Sequence, residues 1–222
     1  MQRHPDELVV TQTILPPPGF DWSFEQISQS GPALMTASRL LAEAGSEVIA
    51  QVGPAFAYRV GGSASGAREL GRRLSAACGV PVLLNGVTVL DALRQLGCRR
   101  VAVACPYYSP AWKSGFVQFL EQQGLVVVAA QTFVEQGLFD NQEQVTASNY
   151  GFSEDLVRTS VRRTRAAAPD AEAMLITGSG VRTLRWIEAM QAELGLPLVS
   201  ADCTLYRSVL HQLGMQPVTG HQ

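Results

Sequence analysis

The residues able to do chemistry in this chain are few, and most stand where an apolar run meets a glycine or a proline. Cys105-Pro106-Tyr107 closes the run 100–104. A thiol there acts as nucleophile or base if its pKa is lowered; a buried, inert thiol is the commoner state of a free cysteine. The Tyr107 hydroxyl can donate to a carboxylate. Gly178-Ser179-Gly180 closes a second run, 173–177. Glycines there let backbone N–H groups approach a ligand, and a following helix favours an anion by about 0.3–1 kcal/mol. A tight turn needing positive φ is the plainer alternative. A third run ends at Gly53-Pro54-Ala55-Phe56. The segments VIAQVGPA (48–55) and MLITGSGV (174–181) echo one another, each a buried strand, a glycine, small residues and a helix, with Gly53 and Gly178 125 residues apart.

Other chemistries are poorly supplied. Cys78, Cys98, Cys105 and Cys203 show no CxxC and no metal-ligand spacing, so no metal is expected, and a reducing compartment keeps them as thiols. His4, His211 and His221 are scattered, and a Ser-His-Asp triad would rest on His211. Lys113 is the sole lysine, which leaves one Schiff-base candidate in a polar stretch. The segment 61–66 is glycine-rich but is not G-x-G-x-x-G, and no acid follows on a strand end, so no nucleotide cofactor is expected. Arg158, Arg162, Arg163 and Arg165 read as a solvated helix face, and Asn141 and Asn149 as turn residues, one of which can reach a cleft.

These residues need a scaffold, and the pattern supplies one. The chain has 222 residues, 46% apolar and 16% charged, which suits a substantial core. The net charge of −2 gives no footprint for nucleic acid or an anionic membrane. No apolar run approaches the ~20 residues of a membrane span. Acids stand in MQRHPDEL where a signal peptide is apolar, and a cytoplasmic location is expected. Strands are predicted over 8–15, 46–52, 80–84, 100–104, 125–130, 173–177 and 197–200. Helices are predicted over 33–45, 63–77, 86–96, 111–123, 153–168, 181–194 and 202–213. Pro16, Pro17 and Pro18 end the first strand. This alternation is the signature of an α/β fold with mostly parallel sheets covered on both faces. Ligands of such folds bind outside the carboxyl ends of strands.

The order of EVIAQVGPAFAYRVGG, PVLLNGVTVLDALRQLGCRRVAVACPYY, AMLITGSGVRTL and GLPLVSADCTLYRSV resembles the Asp/Glu racemase superfamily, in its branch of maleate cis-trans isomerases and arylmalonate decarboxylases. The resemblance runs from about residue 33 to 214. It implies a single unit over 1–222 with two pseudo-symmetric lobes, roughly 1–105 plus 195–222 and 106–194, and a ligand cleft between them. It also implies no cofactor and a small carboxylate held by backbone amides and hydroxyls. Gly53, Ala55, Phe56, Tyr107, Thr177, Gly178, Ser179 and Gly180 are the binding candidates, Tyr107 matching the family's carboxylate-binding tyrosine.

In the racemases and isomerases, two cysteines face the substrate, one per lobe. In the arylmalonate branch only the second remains, and it protonates the carbanion left by decarboxylation. Here Gly53 stands at the first position and Gly178 at the second. A proton donor would then be Cys105, Tyr107, Tyr108 or water. Pro54, Ala55 and Ala57 stand where relatives carry hydroxyl residues, so donors of that loop are backbone only, and Pro54 has no N–H. The run 8–15 resembles the family's second strand, so the first is missing: either the cleft lacks part of a wall or the chain given starts downstream in a longer one. Relatives that are dimers or larger imply a homo-oligomer, although no interface signature stands in the residues. Two readings follow: a cofactor-independent isomerase, racemase or decarboxylase acting on a small carboxylate, or a non-catalytic carboxylate-binding protein on the same scaffold.

Overall fold

The computed structural model describes residues 8–15, 20 and 23–216. Among these, the chain forms α1 (Phe24–Gln29), α2 (Gly31–Glu43), β1 (Ile49–Gln51), α3 (Pro54–Gly61), α4 (Ala64–Cys78), β2 (Val82–Leu84) and α5 (Asn85–Leu96). There follow β3 (Arg100–Ala104), α6 (Pro110–Glu121), β4 (Val126–Gln131), α7 (Gln142–Ala147) and α8 (Glu154–Ala166). The chain continues with β5 (Ala173–Ile176), α9 (Ile187–Leu194), β6 (Leu198–Ser200) and α10 (Ala201–Gln212). Helix starts are set locally. Ser63, Ser109, Asn141 and Ser153 each accept the N–H three residues on, which satisfies a donor the helix itself leaves unpaired.

β1 and β2 pair in parallel as a two-stranded sheet, and β4-β3-β5-β6 form a four-stranded, wholly parallel one. Alternation along the larger sheet divides two cores. Val101, Val103, Cys105, Leu175 and Val199 face one core with Phe116, Phe119 and Leu120 of α6 and the helices around β1 and β2. Ala102, Ala104, Met174, Ile176 and Leu198 face the other, with Val157 and Val161 of α8 and Ile187 and Met190 of α9. Each large apolar side chain buried contributes about 1.5–3 kcal/mol, so both faces of β3 and β5 are strongly specified.

From β3 the chain returns to the sheet as β4 on one side; from β5 it returns as β6 on the other. The loops leaving β3 and β5 therefore diverge, which is the topological switch point of an open parallel sheet. Cys105-Pro106-Tyr107 and Thr177-Gly178-Ser179-Gly180 are those two loops.

Several expectations need correction. Residues 8–15 form no strand: Val9 and Ile14 are 97% and 82% exposed, and an apolar run without a ladder partner gains nothing from extension. Pro16, Pro17 and Pro18 lie outside the described residues. The helix expected over 181–194 starts only at Ile187, because Asp202 captures the Thr183 N–H and hydroxyl and holds 181–186 in turns. The strand over 46–52 does stop before Gly53-Pro54, and Pro54 opens α3, since proline at the first helical position gives up only an unpaired donor. α7 is a helix outside the predicted ones, and Asn141, expected in a turn, is its N-cap. The four-stranded sheet draws β3 and β6 from one of the two expected lobes and β4 and β5 from the other.

Candidate functional site

The switch point brings Tyr107 onto the glycine turn. The N–H of Gly180 donates to Tyr107 Oη at 3.0 Å. Gly178 has φ +90° and a bare Cα facing the phenol: a Cβ added there would lie 2.6 Å from Tyr107 Cζ and closer still to its Oη. Tyr107 thus fills the space a side chain at position 178 would need. Its ring stacks on Phe152 (5.8 Å, 10°) and meets Tyr108 and Tyr150 edge-on at 5.5 and 5.0 Å. Gln142 Nε2 donates to its carbonyl at 3.1 Å. Burial pushes the phenol's pKa up, the Gly180 N–H opposes that, and the nearby Tyr150 and Asp202 add to the rise. At neutral pH the group is a phenol, not a phenolate.

The other candidates fall into place around it. Cys105 is fully buried in the core that contains α6; burial pushes its thiol up, with Lys113 opposing, so it stays protonated. Thr177 is buried, its hydroxyl 3.0 Å from Tyr108 Oη, so that pair serves packing under the turn. Ser179 and Gly180 are half-buried at the turn itself. His211 is exposed in the last turn of α10. Among the described residues, no group of His, Cys, Asp and Glu could hold a metal ion, and no helix is long and apolar enough to cross a membrane.

Gly53, with φ +100°, caps α3. Its N–H goes to Asn85 Oδ1 at 3.4 Å, and the Phe56 N–H goes to the Gly53 carbonyl at 3.3 Å. Ala55 lies in the first turn of α3, where no helical carbonyl precedes it. Sequence reasoning missed Asn85. Fully buried at the end of β2, it also donates to the Ala201 carbonyl at 2.7 Å, which ties the ends of β1, β2 and β6 together. A polar residue directly after the apolar run VLL was the available signal. Asp202 was missed too: its carboxylate accepts the Thr183 N–H (2.7 Å), the Thr183 hydroxyl (2.6 Å) and the Ser200 hydroxyl, fixing the segment that continues from Gly180.

A cavity of about 240 Å³ lies at the opposite, amino ends of β3 and β4, beside Leu90, Cys98 and Leu125, away from these groups.

Comparison with known proteins decides the family. The arylmalonate decarboxylase family profile matches residues 19–220. The chain belongs to the arylmalonate decarboxylase family. It is 28% identical over 186 residues to the arylmalonate decarboxylase of Bordetella bronchiseptica, covering 84% of this chain and 70% of that protein. The structure of unliganded arylmalonate decarboxylase superposes with a TM-score of 0.74 at 24% identity, covering 91% of this chain and 80% of that one. The maleate isomerase of Pseudomonas putida S16 does so at 0.71 and 17%, covering 87% and 75%. The fold is that of this branch of the Asp/Glu racemase superfamily.

Proposed function

We propose that the chain is a cofactor-independent decarboxylase of small malonate-type acids, with Tyr107 as the proton donor. The observation that carries this is the Tyr107 hydroxyl seated against Gly178, at the end of β5, and anchored by the Gly180 N–H. Decarboxylation needs no base from the protein. The C–C bond to one carboxylate breaks, CO₂ leaves, and the electron pair stays on the α-carbon, delocalised into the remaining carboxylate. That carbon then takes the Tyr107 O–H proton, the phenolate keeps the Gly180 N–H, and water restores the proton. A phenol that stays protonated at neutral pH carries the proton a donor needs and has no charge to act as a base.

Racemisation or isomerisation through two poised bases finds no support: Cys105 and Tyr107 are both held protonated, and glycines stand at 53 and 178. The same facts favour, as a second reading, a protein that binds a small carboxylate without turning it over. Ser179 and the N–H of Ala55 are the groups proposed to hold the acid, without a cofactor. Thermal-shift screening of dicarboxylates, amino acids and arylmalonates, each stabilising compound followed by proton NMR in D₂O, separates the two. Loss of CO₂ supports the decarboxylase. Stabilisation with no change in the compound supports the binding protein.

A further inference from the structure

We infer that Tyr150 is the gate of this site, and that acids reach Tyr107 only when its ring swings out. The inference rests on the reading of Tyr107 above for its consequence, but closure itself stands on separate observations. Tyr150 is the outermost of the rings: it is 54% exposed, and its inner edge lies over Tyr107 at 5.0 Å and 83°. It also lies on the open face of Gly180, where an added Cβ would come within 2.7 Å of Tyr150 Cδ1. Tyr150 therefore packs against both Gly180 and the phenol that the Gly180 N–H serves.

The backbone of the gate is held against its own preference. Asn149 and Tyr150, at φ +48° and +60°, are the non-glycine residues with positive φ among those described. Left-handed backbone is unfavourable for a side chain with a Cβ, and two such residues in a row persist only when surrounding contacts hold them. The ring contacts of Tyr150 with Tyr107 and Phe152 are the contacts at hand. The neighbours are fixed on both sides. Phe152 packs against Phe133 and Phe139, and Ser153 caps α8. The Asn149 N–H is bonded to the Thr146 carbonyl at the end of α7. A rotation confined to 149–151 swings Tyr150 outward while Phe152 stays.

Amide hydrogen exchange at Gly180, followed by NMR on the full chain without ligand, tests this. Tyr150→Ala removes the edge contact and is expected to speed exchange at Gly180 by about threefold to tenfold, with Val103 in β3 unchanged. Tyr150→Phe keeps the ring and the wild-type rate. Asn149→Gly relieves the left-handed position and slows Gly180 exchange, which keeps the inference testable if Tyr150→Ala folds poorly. Equal Gly180 rates in wild type and Tyr150→Ala, or no slowing in Asn149→Gly, overturn the gate. No substrate enters the experiment, so its failure is distinct from failure of the decarboxylase reading. If phenylmalonate binds, Tyr150→Ala also raises its association rate, and an unchanged rate counts against the gate alone.

Discussion

Adding a single methyl group at Gly178 probes the contact on which the site is built. In Gly178→Ala the new Cβ falls 2.6 Å from Tyr107 Cζ and 2.9 Å from Cε1, inside any normal contact, and the backbone is held at φ +90°. The left-handed position costs about 1–2 kcal/mol for a residue with a Cβ. Forcing an atom into a packed site costs about 1–3 kcal/mol. Tyr107 has little room to yield, with Tyr108, Tyr150 and Phe152 around its ring. Displacing it also loses the Gly180 hydrogen bond, worth about 1 kcal/mol. The expected destabilisation is about 3–6 kcal/mol, a large share of the 5–15 kcal/mol typical of a domain. Urea unfolding measures it, and a double-mutant cycle isolates the cause. Tyr107→Ala opens the space, so Gly178→Ala in that background is expected to cost less by about 1–3 kcal/mol. Strictly additive losses, or a Gly178→Ala protein as stable as wild type, refute the account of how Tyr107 and Gly178 share space.

Three further outcomes are expected. Cys105→Ala retains any turnover the wild type has and loses about 1–2 kcal/mol of stability, because the thiol is a core atom; loss of turnover with the fold intact would return Cys105 to the chemistry. Asn85→Ala leaves the Gly53 N–H and the Ala201 carbonyl unpaired and is expected to cost about 2–4 kcal/mol in urea unfolding; a loss under 0.5 kcal/mol would contradict its role as a tie. Burial raises the phenols of Tyr58, Tyr107 and Tyr108 above 10.0 and the Cys105 thiol above 9.0. Below those values these groups are protonated in both states and add no pH dependence. Above them the unfolded chain ionises while the native chain resists, so stability falls as pH rises. The Tm should drop steadily from about pH 9 upward, and a flat Tm to about pH 11 would contradict the burial.

Fold class was legible because periodicity is a local signal. The apolar runs at 100–104 and 173–177 reappear as β3 and β5, and glycine with positive φ at 53 and 178 follows from the turns at the ends of β1 and β5. The run 8–15 misled for the same reason, since composition favours extension but pairing needs a neighbour far along the chain. Tyr107 was legible through the resemblance. Its contact with Gly178 was not, because it joins residues 71 positions apart in two loops of a sheet. The partners of Asn85, Asp202 and Tyr150 were illegible likewise, although a polar residue directly after VLL marked the position of Asn85. Each of the three acts through partners supplied by distant strand ends or by a loop whose left-handed backbone no propensity announces.

The central claim is that the Tyr107 hydroxyl delivers the proton. Wild type and Tyr107→Phe should be given phenylmalonate in D₂O and followed by proton NMR, with urea unfolding as a check on the fold. The account predicts that wild type forms the monoacid with one deuterium at the α-carbon, and that Tyr107→Phe loses at least about 100-fold in rate while losing only about 1 kcal/mol of stability. Turnover unchanged in Tyr107→Phe would contradict it. Phenylmalonate bound and left intact by the wild type would place the chain among carboxylate-binding proteins instead.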